Sequence, residues 1–408
     1  MRSLIKGISS KSESKIIMCV LDGLGGLPVN GKTELQSAKT PNLDKLARAA
    51  SCGFHTPVAP GITPGSGAAH LGLFGYDPLS FMVGRGVIEA AGLGIKTGKN
   101  DLVARGNFAT VETQKRKNVL TDRRAGRIST KHSAELVSQI SASVKKIGDV
   151  KIKIYPGLEH RFVVVFTFPH PVPDAEQIYD TDPQKEGGEA PLEVKTDSRN
   201  KKTIAATRTI QRFSEKAKEV LKNRKTANCV LLRGFSSPPN LETFEQTYGL
   251  KAACVAAYPM YRGIAQIAGM DIKNPVGGKT EQIISGAEKI FSGFDFIYLH
   301  IKSTDRYGED GNFKDKARAI SEFDKFVPRL LKLAPDVLIV TGDHSTPAAM
   351  SAHSWHPVPL LIKSRHSIGG AGGFNEMDCR TGELGIIRAV EIMPLALAHA
   401  GRLAKFGA

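Results

Sequence analysis

Cysteine is scarce in this chain, and the five present (Cys19, Cys52, Cys229, Cys254, Cys379) are isolated, odd in number and never spaced as C-x-x-C. That argues against a disulfide framework or a zinc knuckle and points to a reducing compartment. Aromatic residues make up only 7% of the chain. Successive bases would find no stacking platform, so nucleic acid is not expected as a partner. Long apolar runs are also missing. Nothing approaches the ~20 residues of a membrane helix, and Met1 to Lys15 carry Lys and Ser but no signal-peptide core. The expectation is a cytoplasmic protein with no membrane partner. Neither an internal repeat nor a low-complexity tract is present.

What is present suits a globular protein. The 408 residues are enough for two domains, and 41% hydrophobic with 24% charged residues is ordinary for a large buried core. Lys and Arg outnumber Asp and Glu by 56 to 40, a net charge of +16, which favours anionic partners such as small phosphorylated molecules. The basic residues are spread from Arg2 to Lys405 rather than gathered in a tail. Oligomeric state is left open.

Short apolar runs rich in β-branched residues occur at Ile16 to Leu21, Phe162 to Phe166, Cys229 to Leu232, Phe294 to Ile301 and Val337 to Val340. Runs of this kind suit strands buried on both faces, as in a parallel sheet covered by helices. Helical spacing of apolar residues marks Asn42 to Ala50, Ala134 to Ile147, Thr203 to Leu221 and Lys314 to Leu333. The fold class is therefore α/β. Charge density rises from Lys115 to Asn274, which predicts an inserted domain over 115–274 within a core of 1–114 and 275–408. The Pro-, Gly- and charge-rich segment Pro169 to Lys202 reads as a long loop or lid.

Open parallel sheets bind ligands beyond the carboxyl ends of their strands, so acids just after strands are the first candidates. Ile16 to Leu21 leads to Asp22, Phe294 to Ile301 to Asp305 and Glu309, and Val337 to Val340 to Asp343 and His344, with His353 beyond. Carboxylates with a few imidazoles suit Mn²⁺, Zn²⁺ or Mg²⁺, and a pair of such ions would clamp a transferring phosphoryl group. Each acid alone is equally a turn or helix cap; the combination argues for a site. The glycines around Ser66, in Pro64-Gly65-Ser66-Gly67, precede a helix start. A serine at a helix N-terminus beside a metal is a candidate nucleophile, and a plain capping turn is the alternative. Gly-flanked or clustered arginines (Arg85, Arg123, Arg124, Arg127, Arg161, Arg262) offer forks for phosphate or carboxylate, or are solvated surface residues. Asp182 is a candidate general base or part of a turn.

The runs LDGLGG (Leu21 to Gly26), AKTPNLDKLA (Ala38 to Ala47), LFGYDP (Leu73 to Pro78), DRRAGRI (Asp122 to Ile128), AAYPMYRG (Ala256 to Gly263) and TGDHSTP (Thr341 to Pro347) resemble the archaeal-type, cofactor-independent phosphoglycerate mutases of the alkaline phosphatase superfamily. The resemblance runs from about Ile16 to Ala408. It implies an alkaline-phosphatase-like α/β core with a mainly parallel sheet, interrupted by a smaller α/β insert that binds substrate. It also implies two divalent ions, Mn²⁺ first, with Zn²⁺, Co²⁺ and Mg²⁺ as alternatives. One ion would be held by Asp22, Ser66, Asp343 and His344, the other by Asp305, Glu309 and His353. Ser66 would carry the phosphoryl group between 3- and 2-phosphoglycerate with Asp182 as base, while His70, Arg85, Arg124, Arg127, Arg161 and Arg262 would bind substrate.

The chain departs from the family pattern at Glu309, where many members have His, at Gly67 and Ala68, where Asp and Thr often follow the serine, and at Gln184, where His commonly follows Asp-Pro. A metal-dependent phosphatase, or a phosphomutase for another small ester, is the alternative activity. A non-catalytic polyanion-binding protein would have no need of Asp22, Ser66, Asp305, Asp343, His344 and His353 together.

Overall fold

The computed structural model describes every residue except 1, 82, 115–116, 186–188, 275–276 and 408, with Lys117 described in its backbone only. In chain order its strands are β1 (Ile16–Leu21), β2 (Ser51–Thr56), β3 (Asp101–Gln114), β4 (Lys117–Asp122), β5 (Lys146–Ile147), β6 (Val150–Pro156) and β7 (Arg161–Thr167). They continue as β8 (Cys229–Ser236), β9 (Ala252–Ala256), β10 (Asp271–Ile272), β11 (Phe296–Ile301), β12 (Val337–Thr341), β13 (Val358–Ser364) and β14 (Gly385–Arg388). The chain divides into two compact units, Met1–Phe81 with Leu241–Ala408, and Met82–Asn240. The expected insert boundaries at Lys115 and Asn274 are thereby corrected. β3 belongs to the second unit and β9 and β10 to the first, and neither strand boundary is marked by a change in charge density. The expected edge residues 115 and 275 themselves lie outside the described residues.

The first unit holds an eight-stranded sheet ordered β10-β9-β11-β1-β12-β13-β2-β14. β1 runs parallel to β11 and to β12, with Leu21 beside Ile301 and Val20 beside Thr341. Only β13 runs antiparallel to its neighbours, so the sheet is mainly parallel. All residues of β1, β11 and β12 are buried, as their unbroken apolar runs require when helices cover both faces. Ile17, Cys19, Leu21, Ile297, Leu299, Leu338 and Val340 share one core with helix residues Leu43, Leu46, Ile320 and Phe323. The aligned carboxyl ends of β11, β1 and β12 fix where the polar residues that follow them must meet.

The second unit departs from the parallel expectation. Its strand pairs are antiparallel, with β3 central between β7, β8 and β4. Phe162 to Phe166 and Cys229 to Leu232 lie in β7 and β8. An unbroken apolar run reports burial of both faces and says nothing of strand direction. Phe162, Val164, Phe166 and Leu232 pack against Ile210, Phe213 and Leu221 of the helix Lys201–Leu221. The expected helix Ala134 to Ile147 ends at Ser143, and β5 begins at Lys146. Lys314 to Leu333 is two helices, Phe313–Asp324 and Val327–Lys332, the second with Pro328 in its first turn. Between Pro169 and Lys202 the regular structure among the described residues is a short 3-10 turn, Ala175–Gln177, the bridge Ile178 to Thr196 and, at its end, the start of the helix Lys201–Leu221. All five cysteines are buried and free.

His55, buried in β2, lies with Nε2 3.0 Å from the Gly342 carbonyl. The carbonyl only accepts, so Nε2 carries the proton. Burial outweighs that bond and pushes the imidazole down to about 4. A histidine depressed in the folded state lets the unfolded chain bind more protons. Its contribution is complete above the unfolded value near 6.5 and is lost as pH falls toward 4. Urea titrations over that range are expected to show His55 contributing a slope of up to about 1.4 kcal/mol per pH unit. His55→Gln should flatten the profile by that amount; an unchanged slope would contradict the assignment.

Candidate active site

The three carboxyl ends deliver their acids to one place. Asp22 follows β1, Asp305 lies in the helix Ser303–Glu309 after β11, and Asp343 with His344 follows β12. All four are buried. Gly23 makes the turn behind Asp22 possible. Its φ is +66°, its N–H donates to Asp343 Oδ1 at 3.0 Å, and a Cβ there would lie 2.5 Å from Thr346 Oγ1.

Two groups of three residues have ligand atoms close enough to share an ion: Asp22, Asp343 and His344, and Asp305, His344 and His353. His344 belongs to both by distance, but its two nitrogens differ. Nδ1 lies 2.9 Å from the Thr346 hydroxyl, which donates to Asp305 Oδ1 at 2.7 Å. Nε2 lies 3.2 Å from Ser66 Oγ, 3.2 Å from Asp343 Oδ2 and 3.4 Å from Asp22 Oδ1. With Nδ1 engaged by Thr346, the free lone pair of His344 belongs with Asp22, Asp343 and Ser66. His353 Nε2 is 3.5 Å from Asp305 Oδ1 and 3.7 Å from Glu309 Oε1, and its ring stacks on His344 at 3.7 Å. Glu309 stands at the rim with its side chain 53% exposed.

Ser66 opens the helix Ser66–Leu73, where the positive end of the helix faces its hydroxyl. His70, one turn on, is wholly buried. Its Nδ1 lies 2.8 Å from the Ser66 carbonyl and 3.3 Å from Asp343 Oδ2, and its ring packs beside Tyr261 and Tyr298. The sequence places His70 against substrate; in the structure its ring is buried beside the Ser66 carbonyl and Asp343.

The electrostatics suit a cation. Burial raises both Asp22 and Asp343, and they diverge because their neighbours differ. Beside Asp22, His300, Lys302 and His344 overcome burial and hold it well below the usual carboxylate range, whereas burial and the Asp22 charge push Asp343 well above it. Asp22 Oδ1 and Asp343 Oδ2 are buried without a hydrogen-bond partner among the described residues. Orphaned acceptors facing one imidazole lone pair are what a divalent ion would satisfy.

Three residues here were given no role by the sequence. The Lys302 ammonium lies 3.0 Å from Asp22 Oδ2 and also donates to Asp305. The Tyr261 hydroxyl donates to Asp22 Oδ2, and the Tyr261 ring stacks at 3.5 Å on His300, whose Nε2 is 3.1 Å from the same oxygen. Lys302 follows β11 directly, the same position that singled out Asp22. His300 is hidden inside an apolar run.

The second unit gathers guanidinium groups. Asp182 accepts from Arg123 Nε at 2.7 Å and Arg123 Nη2 at 2.8 Å, with Arg233 Nη1 at 3.4 Å. Burial raises its pKa, but these bonds win and lower it. The carboxylate is thus held ionised between two guanidinium groups. Arg105 is lowered to about 10 by burial, opposed by Glu89 and aided by the charges of Arg161, Arg85 and Arg233. Arg105 Nε and Arg161 Nε are buried without a hydrogen-bond partner among the described residues, an arrangement suited to an anion. Arg124 and Arg127 are exposed on the loop shaped by Asp122, which accepts from the Arg124 and Gly126 N–H groups. Arg262 belongs to the first unit and is bonded to Asn274 at 2.6 Å.

A profile of the family described as 2,3-bisphosphoglycerate-independent phosphoglycerate mutase matches residues 47–227. A curated Aquifex aeolicus protein, named a probable member of that enzyme class, is 49% identical over 408 residues, covering 99% of this chain and 100% of its own. This chain belongs to the 2,3-bisphosphoglycerate-independent phosphoglycerate mutase family. Two solved structures share the fold over nearly the whole chain. A Pyrococcus horikoshii protein superposes with a TM-score of 0.81 at 31% identity over 97% of this chain and 99% of its own. A cofactor-independent phosphoglycerate mutase from Thermoplasma acidophilum gives 0.72 at 29% identity over 95% and 100%. No helix among the described residues is long and apolar enough to cross a membrane.

Proposed function

We propose that this chain is a cofactor-independent phosphoglycerate mutase, interconverting 3- and 2-phosphoglycerate through a phosphoserine at Ser66. The observation that carries the reading is the Ser66 hydroxyl, 3.2 Å from His344 Nε2 and at the start of a helix, beside the orphaned acceptors of Asp22 and Asp343. Asp22, Ser66, Asp343 and His344 would hold one divalent ion, and Asp305, His353 and Glu309 the other, with Mn²⁺ the first choice for this donor set. Bound there, the ions supply Lewis-acid charge for the phosphoryl oxygens and favour ionisation of the serine.

The chain's own groups do the rest. The Ser66 hydroxyl proton passes to solvent, and Ser66 Oγ attacks phosphorus as the bond from phosphorus to the substrate's 3-oxygen breaks. That oxygen takes up a proton. The 2-hydroxyl then gives up its proton and attacks the same phosphorus, and Ser66 Oγ departs. Lys302 offsets negative charge beside Asp22 and Asp305, and Tyr261 fixes the Asp22 carboxylate. We assign recognition of the substrate's anionic groups to Arg105, Arg161 and Arg233, with Asp182 ordering the last. Water must be kept from the phosphoserine, since its attack would make a phosphatase. The reading places the enzyme in the cytoplasm, where phosphoglycerates are metabolised.

Phosphorus NMR of 3-phosphoglycerate incubated with the Mn²⁺-supplemented protein tests this reading. Appearance of 2-phosphoglycerate supports it. Accumulation of inorganic phosphate alone would establish a phosphatase instead.

A further inference from the structure

Lys316, in the helix Phe313–Asp324, is fully buried, and the reaction described above does not use it. Its ammonium donates to the carbonyls of Gly25 at 2.9 Å and Thr346 at 2.8 Å, with Glu34 Oε1 at 3.8 Å. A buried ammonium is costly unless paired and hydrogen-bonded, and here its bonds go to two loops that carry acids of the site. Gly25 lies three residues beyond Asp22, and Thr346 two beyond His344. The Thr346 N–H reaches the same Gly25 carbonyl at 3.1 Å, so the cation pins both loops at one point. The helix bearing Asp305 closes on it as well, because a Cβ at Gly308 would lie 2.2 Å from the Thr346 carbonyl.

What the pin holds is the Thr346 hydroxyl. That hydroxyl has one proton, and the carboxylate Asp305 Oδ1 at 2.7 Å can only accept it. Toward His344 Nδ1 at 2.9 Å the hydroxyl must therefore accept. This places the imidazole proton on Nδ1 and leaves the Nε2 lone pair facing Ser66, Asp22 and Asp343.

We infer that Lys316 and Thr346 are positioning residues for the phosphoryl-transfer site. Lys316 holds the Thr346 backbone, and the Thr346 hydroxyl sets His344 in the tautomer that binds through Nε2 while it orients the Asp305 carboxylate. The inference deepens the two-metal reading and rests on it.

Two readouts on the full chain test it: ¹⁵N NMR of the His344 ring without metal, and Mn²⁺ affinity by electron paramagnetic resonance. Wild type should show the Nδ1–H tautomer. Thr346→Val should shift the ring toward Nε2–H and weaken Mn²⁺ binding about 10- to 100-fold, the usual scale for partners of metal ligands. Thr346→Ser should restore both, which a merely space-filling role would not require. Lys316→Met should act in the same direction; should it fail to fold, the Thr346 pair decides. Wild-type tautomer and affinity in Thr346→Val would overturn the inference. Absence of Mn²⁺ binding by wild type would instead strike the metal reading, and the tautomer measurement would still judge Thr346.

Discussion

Ser66→Ala is expected to reduce mutase turnover by roughly 10⁴-fold or more, the scale on which loss of a nucleophile acts in other covalent catalysts. Ser66 is half-buried, and its Oγ lies 3.2 Å from His344 Nε2. The substitution therefore removes no core packing, and Ala is a good helix former at the start of Ser66–Leu73. Its thermal midpoint should stay within a few degrees of wild type, so that lost activity reports chemistry rather than unfolding. An enolase-coupled assay beside a thermal melt measures both. Substantial activity in a folded Ser66→Ala protein would rule out the phosphoserine route.

Asp22→Asn tests the metal site with almost no change in shape. Asp22 is fully buried and accepts from Tyr261, with Lys302 at 3.0 Å and His300 at 3.1 Å. An amide keeps the volume but loses the charge that attracts a divalent ion, and it turns an NH₂ toward groups that donate. Bound Mn²⁺ should fall from two ions per chain to one, and turnover should drop by roughly 10³-fold, several kcal/mol of transition-state stabilisation. Equilibrium dialysis with elemental analysis counts the ions. Unchanged stoichiometry with wild-type turnover would remove Asp22 from the ligand set.

The parts of the site that the sequence revealed are those tied to strand ends. Asp22, Asp305, Asp343 and His344 each follow an apolar run, and the parallel register of β11, β1 and β12 makes such positions converge. Lys302 stands at the same kind of position, directly after β11, but an ammonium is no metal ligand and the pattern of acids does not include it. Tyr261 and His300 reach Asp22 through packing of side chains from β11 and from the helix Pro259–Ile267, which no spacing rule encodes. The place of His70 is hidden for a related reason: a residue one turn after a serine at a helix start faces inward or outward according to helix phase, and here it faces the core.

Fold class was legible from burial, strand direction less so. Phe162 to Phe166 reads like Ile16 to Leu21, yet β7 is antiparallel to both of its neighbours. Asp182 shows another limit. The run Asp180-Thr181-Asp182-Pro183 reads equally as a general base or a plain turn, and only the folded chain brings Arg123 and Arg233, residues distant in sequence, onto the Asp182 carboxylate.

The most direct test of the central claim is rapid acid quench of the Mn²⁺-loaded protein during turnover of 3-phosphoglycerate, followed by peptide mass spectrometry. A phosphoryl group on the peptide carrying Ser66, formed and lost fast enough to account for 2-phosphoglycerate production, is the predicted result. Formation of 2-phosphoglycerate with no phosphorylated Ser66 at any quench time, or no 2-phosphoglycerate at all, would contradict it.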